Sequence, residues 1–168
     1  MWTVLFPPAP GGGEKVDYGY KGKGVLLHLL IDKNGNAIAI TTTDAKGDEK
    51  QEVSRLLTQL PLKSLKGRVV VLEADKGYDA GWLRQFLLNM GIFPLIPYRK
   101  IKGRWAPEIN EVTHFFKLSP QRWKVERAFA WLKRRCRRLL MRWERLFVIW
   151  NGLVILGVVY TWIKNLVG

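Results

Sequence analysis

The chain has 168 residues, enough for one domain with its own core, and 48% of them are hydrophobic, as in globular proteins. Its formal net charge is +14, and the charge is uneven: residues 1–98 hold 12 Lys/Arg against 10 Asp/Glu, whereas residues 99–145 hold 15 against 4. This asymmetry favours a polyanionic partner, nucleic acid before membrane. One cysteine excludes an internal disulfide and a cysteine metal cluster, and the absence of a secretory pattern at the start predicts a cytoplasmic location.

A β-hairpin is predicted near the N-terminus, after a short apolar piece over residues 1–13 that prolines and glycines interrupt. The apolar runs at 25–32 and 36–43 flank Asn34 and Gly35, and Asn-Gly between two such runs is a strong hairpin signal. The first run is apolar on both faces, which predicts a central strand covered on both sides.

Helices and strands alternate after the hairpin. The apolar spacing predicts, in order, a helix over Asp48–Leu60, a strand over Val69–Leu72, a helix over Asp79–Met90 and a strand over Ile92–Pro97. Asp44 and Asp48 suit the start of the first helix as caps, Asp79 suits the start of the second, and Asp75 directly follows a strand. This order predicts an α/β sheet with antiparallel and parallel parts, in a single domain over residues 1–168.

The segment from residue 99 to 118 is basic and irregular. Arg99, Lys100, Lys102 and Arg104, with Trp105 as a stacking ring, form a candidate surface for nucleic-acid phosphates. A merely solvated loop is the alternative reading.

A long helix is predicted from about residue 120, where Ser119 can cap it and Pro120 suits its first turn. At about 100° per residue, Arg122, Glu126 and Lys133 share one face, at the border between two other faces. The apolar face comprises Val125, Phe129, Leu132, Cys136, Leu139 and Trp143, and the basic face comprises Arg127, Arg134, Arg137 and Arg138. Spacing alone leaves two readings of Glu126 open: a site carboxylate, or a surface ion pair with Arg122.

Residues 147–163 form an uncharged apolar run between Arg145 and Lys164. Seventeen residues are at the short end for crossing a bilayer, so a helix packed against the sheet is expected, with a membrane span as the alternative. An incomplete fold would leave part of this helix exposed and promote aggregation.

Four segments carry a resemblance to a known family. They are GYKGKG (19–24) with the hairpin DKNGNAIAI after it, ADKGYDA (74–80), GIFPLIPYRK (91–100) and RWKVERAFAWLKRRCRRL (122–139). Together they resemble the DDE transposase domain of bacterial insertion sequences, of the insertion-sequence-four/five-like kind, whose signature reads Tyr-x2-Arg-x3-Glu-x6-Lys. The resemblance extends over roughly residues 11–160.

The resemblance implies a ribonuclease-H-like fold in which three carboxylates bind two divalent metal ions, Mg²⁺ or Mn²⁺. By its motifs, Asp75 is the second catalytic and metal-binding carboxylate, Glu126 is the third, and Arg122 and Lys133 are cations that contact DNA near the cut. The implied activity is DNA transposition, by metal-dependent phosphodiester hydrolysis and strand transfer at terminal inverted repeats and target DNA. The implied setting is the bacterial nucleoid, with a homo-oligomer or a full-length transposase as a protein partner and no membrane.

Two departures from the family pattern affect the expected activity. Ser119 stands at the signature tyrosine, and no acidic residue precedes Glu14, although the family places its first catalytic aspartate on the first strand. Asp17 and Asp32 are poor substitutes by position. The sequence thus predicts an N-terminally truncated domain, or a replacement near residue 3, and weak or no catalysis. A non-catalytic DNA-binding remnant and a small basic membrane-associated protein are the alternative hypotheses.

Overall fold

A computed structural model describes residues 1–61, 68–99, 102–103 and 123–167, without the side chains of Trp2 and Thr3. The strands are β1 (Trp2–Leu5), β2 (Asp17–Gly19), β3 (Gly22–Ile31), β4 (Ala37–Asp44), β5 (Val70–Glu73) and β6 (Ile92–Leu95). The α-helices are α1 (Glu49–Thr58), α2 (Gly81–Asn89), α3 (Trp123–Arg135) and α4 (Phe147–Val167), and short 3-10 helices span Lys76–Tyr78 and Arg137–Leu140.

The strand β3 is the centre of an antiparallel sheet. It pairs with β1 on one edge and with β4 on the other, and its first residues also pair with β2. Alternate residues of β3 enter two different cores: Leu27 and Leu29 face α3 and α4, whereas Leu30 joins the core formed by α1 and α2. The predicted central strand, covered on both sides, is therefore confirmed.

The predicted hairpin is confirmed between β3 and β4. Gly35 has φ +92° in the turn, a conformation that favours glycine. The Asp32 carboxylate accepts hydrogen bonds from the backbone N–H groups of Asn34 (2.8 Å) and Asn36 (2.9 Å). Asp32 thus holds the turn, and Asp17 forms an ion pair with Lys46 (2.9 Å), so each of these carboxylates has a local structural role.

A parallel pair completes the mixed sheet arrangement. β5 and β6 run parallel, with Val70 opposite Ile92, and α2 makes the crossover between them. The larger side chains of this region, Leu56, Leu72, Leu83, Leu87 and Ile92, are buried in one cluster. Antiparallel and parallel strands flanked by helices confirm the predicted fold class and are consistent with a ribonuclease-H-like fold.

Two of the three predicted helix caps are wrong. Asp48 caps α1 as expected, because its side chain accepts from the N–H of Lys50 (2.9 Å). Asp44 instead ends β4 and accepts from the N–H of Lys46 (2.9 Å). Asp79 lies outside α2, whose N-cap is Ala80 and has no side-chain cap. Its carboxylate instead accepts hydrogen bonds from the side chain of Arg84 and from the backbone N–H of Arg99.

The predicted long helix ends earlier than expected. α3 stops at Arg135, Cys136 leaves helical geometry (φ −124°, ψ 73°), and Trp143 is 59% exposed rather than in the core. The chain turns away because the N–H of Arg142 donates to the carbonyl of Pro8 (2.8 Å) in the N-terminal loop. The 3-10 turn still brings Leu139 into the core. The predicted start of this helix at Ser119 and Pro120 lies outside the described residues.

The last helix, α4, is buried along one face only. Trp150, Val154 and Gly157 contact the core, whereas Val148, Leu156 and Leu166 are more than half exposed. By length and composition α4 could cross a membrane, with a mean hydropathy of 1.6. One face of α4 packs against the core, as expected, and the other face leaves apolar side chains exposed although β1 is paired with β3.

Candidate catalytic and nucleic-acid-binding site

Asp75 is the second residue after the end of β5. The preceding Ala74 is buried, and its N–H extends the parallel ladder by donating to the carbonyl of Leu95 (3.2 Å). Asp75 itself is exposed and opens the 3-10 helix Lys76–Tyr78 in an extended conformation (φ −70°, ψ 159°). The fold thus presents this carboxylate just beyond the carboxyl end of a partly buried parallel strand.

The turn after Asp75 is fixed by side chains from distant segments. Tyr78 is buried in the core, and its hydroxyl donates to the Glu49 carboxylate (2.8 Å). The Arg99 guanidinium donates to the carbonyls of Lys76 (3.1 Å) and Gly77 (3.0 Å). Arg99, a predicted phosphate-binding residue, is exposed and also holds this turn.

A buried ion pair lies directly behind the same turn. Asp79 and Arg84 have side chains only 2% and 12% exposed, and one Asp79 oxygen accepts from Nε (3.0 Å) and Nη2 (2.9 Å) of Arg84. The other Asp79 oxygen accepts from the backbone N–H of Arg99 (2.8 Å). This role of Asp79 explains why it does not cap α2.

Glu126 lies in the first turn of α3. It is exposed beside the buried Val125, and Lys133, two turns along the same helix, is half-buried. Arg122, the third member of the predicted set, lies outside the described residues. The structure therefore exposes Glu126 next to a core residue and leaves Lys133, on the same helix, more buried.

Two observations relate the elements that carry Asp75 and Glu126 to the N-terminal strand. α3 packs against β1. Glu73, the last residue of β5, acts electrostatically on the amino group of Met1, which precedes β1: burial lowers the pKa of that group to about 6, and Glu73 and Asp32 oppose the shift. β1 is where the family resemblance places a first catalytic aspartate, and Trp2–Leu5 contains no acidic residue.

Asp75 and Glu126 offer the type of ligand that a hard divalent cation prefers, but two carboxylates are too few for a complete site. Carboxylate oxygens are ligands that Mg²⁺ accepts, and Asp75 and Glu126 are both exposed. Within the described part of the chain, however, no three His, Cys, Asp or Glu side chains are grouped so that they could hold a metal ion. The residues described do not form a complete metal site.

Part of the predicted basic face supports the fold. Arg127 lies between the rings of Trp123 (4.5 Å) and Trp131 (4.7 Å) and donates to the carbonyl of Asn34 (3.2 Å), while Lys124 donates to the carbonyl of Lys33. These contacts dock α3 onto the β3–β4 turn. Helical spacing predicts Arg127 on the DNA face and misses this role. The signal for it is the recurrence, every four residues, of Trp123, Arg127, Trp131 and Arg135.

The remaining basic residues divide into two groups. Arg135 is committed to α4, donating to the carbonyl of Thr161 (3.3 Å) and to Asn165 Oδ1 (2.9 Å), and Arg138 donates to Glu144 (2.8 Å). Arg134, Arg137 and Lys102 are exposed. Lys100 and Arg104 lie outside the described residues. Among the described residues, an exposed basic surface therefore exists near the end of α3.

Comparisons with known proteins identify the family of the chain. The family model described as "Transposase DDE domain" matches residues 5–162. A protein of Burkholderia cepacia, named "Putative transposase for insertion sequence element IS402", is 33% identical over 135 residues, which cover 77% of this chain and 58% of that relative. The family match extends over most of the chain and includes β5, α3 and most of α4. The chain therefore belongs to the family of transposases that carry a DDE domain.

Proposed function

We propose that this chain is part of the catalytic domain of an insertion-sequence transposase that acts on DNA, with Asp75 and Glu126 as two of its catalytic carboxylates. The observation that carries the proposal is the placement of Asp75: an exposed carboxylate on a fixed turn, just after a partly buried strand. Glu126 is exposed on α3, which packs against β1, the strand that also lies near the end of β5.

The substrate class follows from the charge distribution. Arg134 and Arg137 are exposed on the segment that carries most of the excess positive charge, and phosphate contacts supply most of the affinity of such surfaces for DNA. The substrates proposed are the terminal inverted repeats of the element and its target DNA, in the bacterial nucleoid. A homo-oligomer, or a complex with a full-length transposase, is the proposed assembly.

Asp75 and Glu126 are the residues that would contribute to holding Mg²⁺ or Mn²⁺, which in this chemistry supplies positive charge to a phosphate. Because the described residues offer no third grouped ligand, we propose that the chain binds such an ion weakly and cleaves DNA slowly or not at all by itself.

The test is a nicking assay on DNA that carries the ends of the element. The chain is incubated with Mn²⁺, and Asp75→Asn and Glu126→Gln are compared with Glu144→Gln, a control carboxylate that pairs with Arg138. We expect slow nicking that only the first two substitutions abolish. Nicking that survives both substitutions would remove these residues from the site.

A non-catalytic DNA-binding remnant is the second candidate, favoured by the incomplete donor set among the described side chains. It predicts salt-sensitive binding to the element ends, with no nicking in Mn²⁺ at any protein concentration. A membrane-associated protein would instead partition into detergent after cell fractionation, through the exposed face of α4.

A further inference from the structure

The backbone on both sides of Asp75 is held by other segments. Before it, the buried Ala74 is bonded to Leu95 of β6. After it, the N–H of Tyr78 donates to the Asp75 carbonyl (2.9 Å), and the Tyr78 hydroxyl is bonded to Glu49 of α1. The exposed carboxylate therefore projects from a backbone with few degrees of freedom.

Arg99 completes this restraint from the chain that leaves β6. Two of its guanidinium nitrogens donate to the Lys76 and Gly77 carbonyls, the two that directly follow Asp75. Carbonyls in an exposed turn could equally be satisfied by water, so these bonds contribute little to global stability. Their effect is on the geometry of the turn.

The position of Arg99 depends in turn on the buried pair. Asp79 binds the backbone N–H of Arg99, and Arg84 holds Asp79, donates to the carbonyl of Ile96 (2.7 Å) and stacks on Tyr98 (3.7 Å from the ring centroid). A desolvated carboxylate needs a paired cation, so Asp79 and Arg84 stay together in the folded state. They fix the distance between the 76–79 turn and the strand exit at 96–99.

We infer that Asp79, Arg84 and Arg99 are positioning residues for Asp75: the buried pair places Arg99, and Arg99 clamps the turn that aims the carboxylate. The inference rests on the proposed function of Asp75. Reactive groups must be held within about 0.5 Å of a productive geometry, and an exposed carboxylate on an unclamped turn would not meet that requirement.

The first test measures the mobility of Asp75 directly. In Arg99→Gln we expect the amide order parameter of Asp75, measured by ¹⁵N relaxation, to fall from about 0.85 to below about 0.6. We also expect faster hydrogen exchange at the amides of Tyr78 and Asp79. Arg135→Gln is the matched control, because Arg135 also donates to a backbone carbonyl of another segment but lies on α3.

Asp79→Asn is the second variant. Its side-chain carbonyl can still accept from Arg84, whereas its NH2 group cannot accept a hydrogen bond from the backbone N–H of Arg99. We expect the same loosening of Asp75, with the remaining amides protected as in the unmodified chain. A rigid Asp75 in both variants, or equal loosening in Arg135→Gln, would overturn the inference.

A paramagnetic probe separates this inference from the proposed function. Mn²⁺ added to the unmodified chain should broaden the Asp75 and Glu126 amide signals, and Arg99→Gln should reduce the broadening several-fold at equal Mn²⁺. Broadening that is unchanged in a variant with a mobile Asp75 would overturn the positioning role. No broadening at Asp75 in the unmodified chain would count against the proposed site, while the order parameters would still decide whether the clamp exists.

Discussion

His28 is a polar residue at the centre of the sheet. It is fully buried on β3, and its Nε2 lies 2.8 Å from the Thr43 hydroxyl oxygen. That hydroxyl donates to the carbonyl of Asp44 (3.1 Å), so its oxygen is left to accept and Nε2 carries the proton. Burial lowers the pKa of His28 to about 4 from its usual value of 6.5. The folded protein therefore holds a neutral imidazole at neutral pH.

The first prediction concerns acid stability. The unfolded chain binds a proton at His28 near pH 6.5 and the folded chain only near pH 4, so stability is full above pH 6.5 and falls as the pH drops through this window. Urea titrations should show the free energy of unfolding decreasing by about 2 kcal/mol between pH 7.5 and pH 5. His28→Gln should flatten this dependence. An equal slope in that variant would mean that other groups cause it.

The second prediction concerns the arginines at the end of α3. Arg134→Gln and Arg137→Gln should each weaken DNA binding uniformly across sequences and reduce the slope of log K against log salt by about 1, because each removes a phosphate contact. Arg135→Gln should leave the slope unchanged, since Arg135 binds α4. Fluorescence anisotropy at several salt concentrations gives the slopes. If only Arg135→Gln reduced the slope, Arg135 rather than Arg134 or Arg137 would be the residue that contacts DNA phosphates.

Single residues also show the limit of sequence reasoning. Asp75 and Glu126 were placed by motif, and Asp75 does follow a strand as predicted. The pairing of Asp79 with Arg84, and the clamp by Arg99, depend on β6 returning beside β5, a tertiary contact that local patterns do not encode. Asp79 was therefore assigned to a nearby helix start, the frequent local role of aspartate.

At the scale of elements, α3 and α4 meet through a glycine. A β-carbon at Gly157 would lie 2.9 Å from Leu139 Cδ1, 3.2 Å from Cys136 Sγ and 3.3 Å from Leu132 Cδ1. The close approach explains how the end of α3 and the following 3-10 turn both fit against α4. Helical periodicity predicted α3 correctly in its middle, but its end depends on this contact and on the bond from Arg142 to Pro8.

The third prediction compares two glycines of the same helix. Gly152→Ala should raise the free energy of unfolding by about 0.5–1 kcal/mol, because alanine is the better helix former and nothing lies within 4 Å of the new methyl group. Gly157→Ala should lower it by about 1–2 kcal/mol, since three core side chains must shift. Thermal or urea unfolding of both variants checks the difference in sign. Stabilisation by both would show that the contact at Gly157 relaxes freely.

At the scale of the whole molecule, sequence patterns gave the fold class and the order of strands and helices, because the two faces of β3 and the hairpin signal are local. The same patterns could not show which basic residues stabilise the fold and which are available to bind DNA. Arg99, Arg127, Arg135 and Arg138 all make contacts within the protein, so the net charge overstates the number of cations available to a partner.

The exposed apolar side chains of α4 have a consequence for association between molecules in solution. Mutual repulsion between chains of charge +14 opposes contact through this face, and the Debye length falls from about 10 Å to about 3 Å between 0.1 M and 1 M salt. Static light scattering should therefore show the second virial coefficient turning negative as salt rises. Leu156→Gln with Ile163→Gln, two exposed positions, should keep it positive. Raising the salt concentration should therefore both release DNA and cause the freed protein to cluster. DNA-binding curves must be measured below the salt concentration at which this clustering begins.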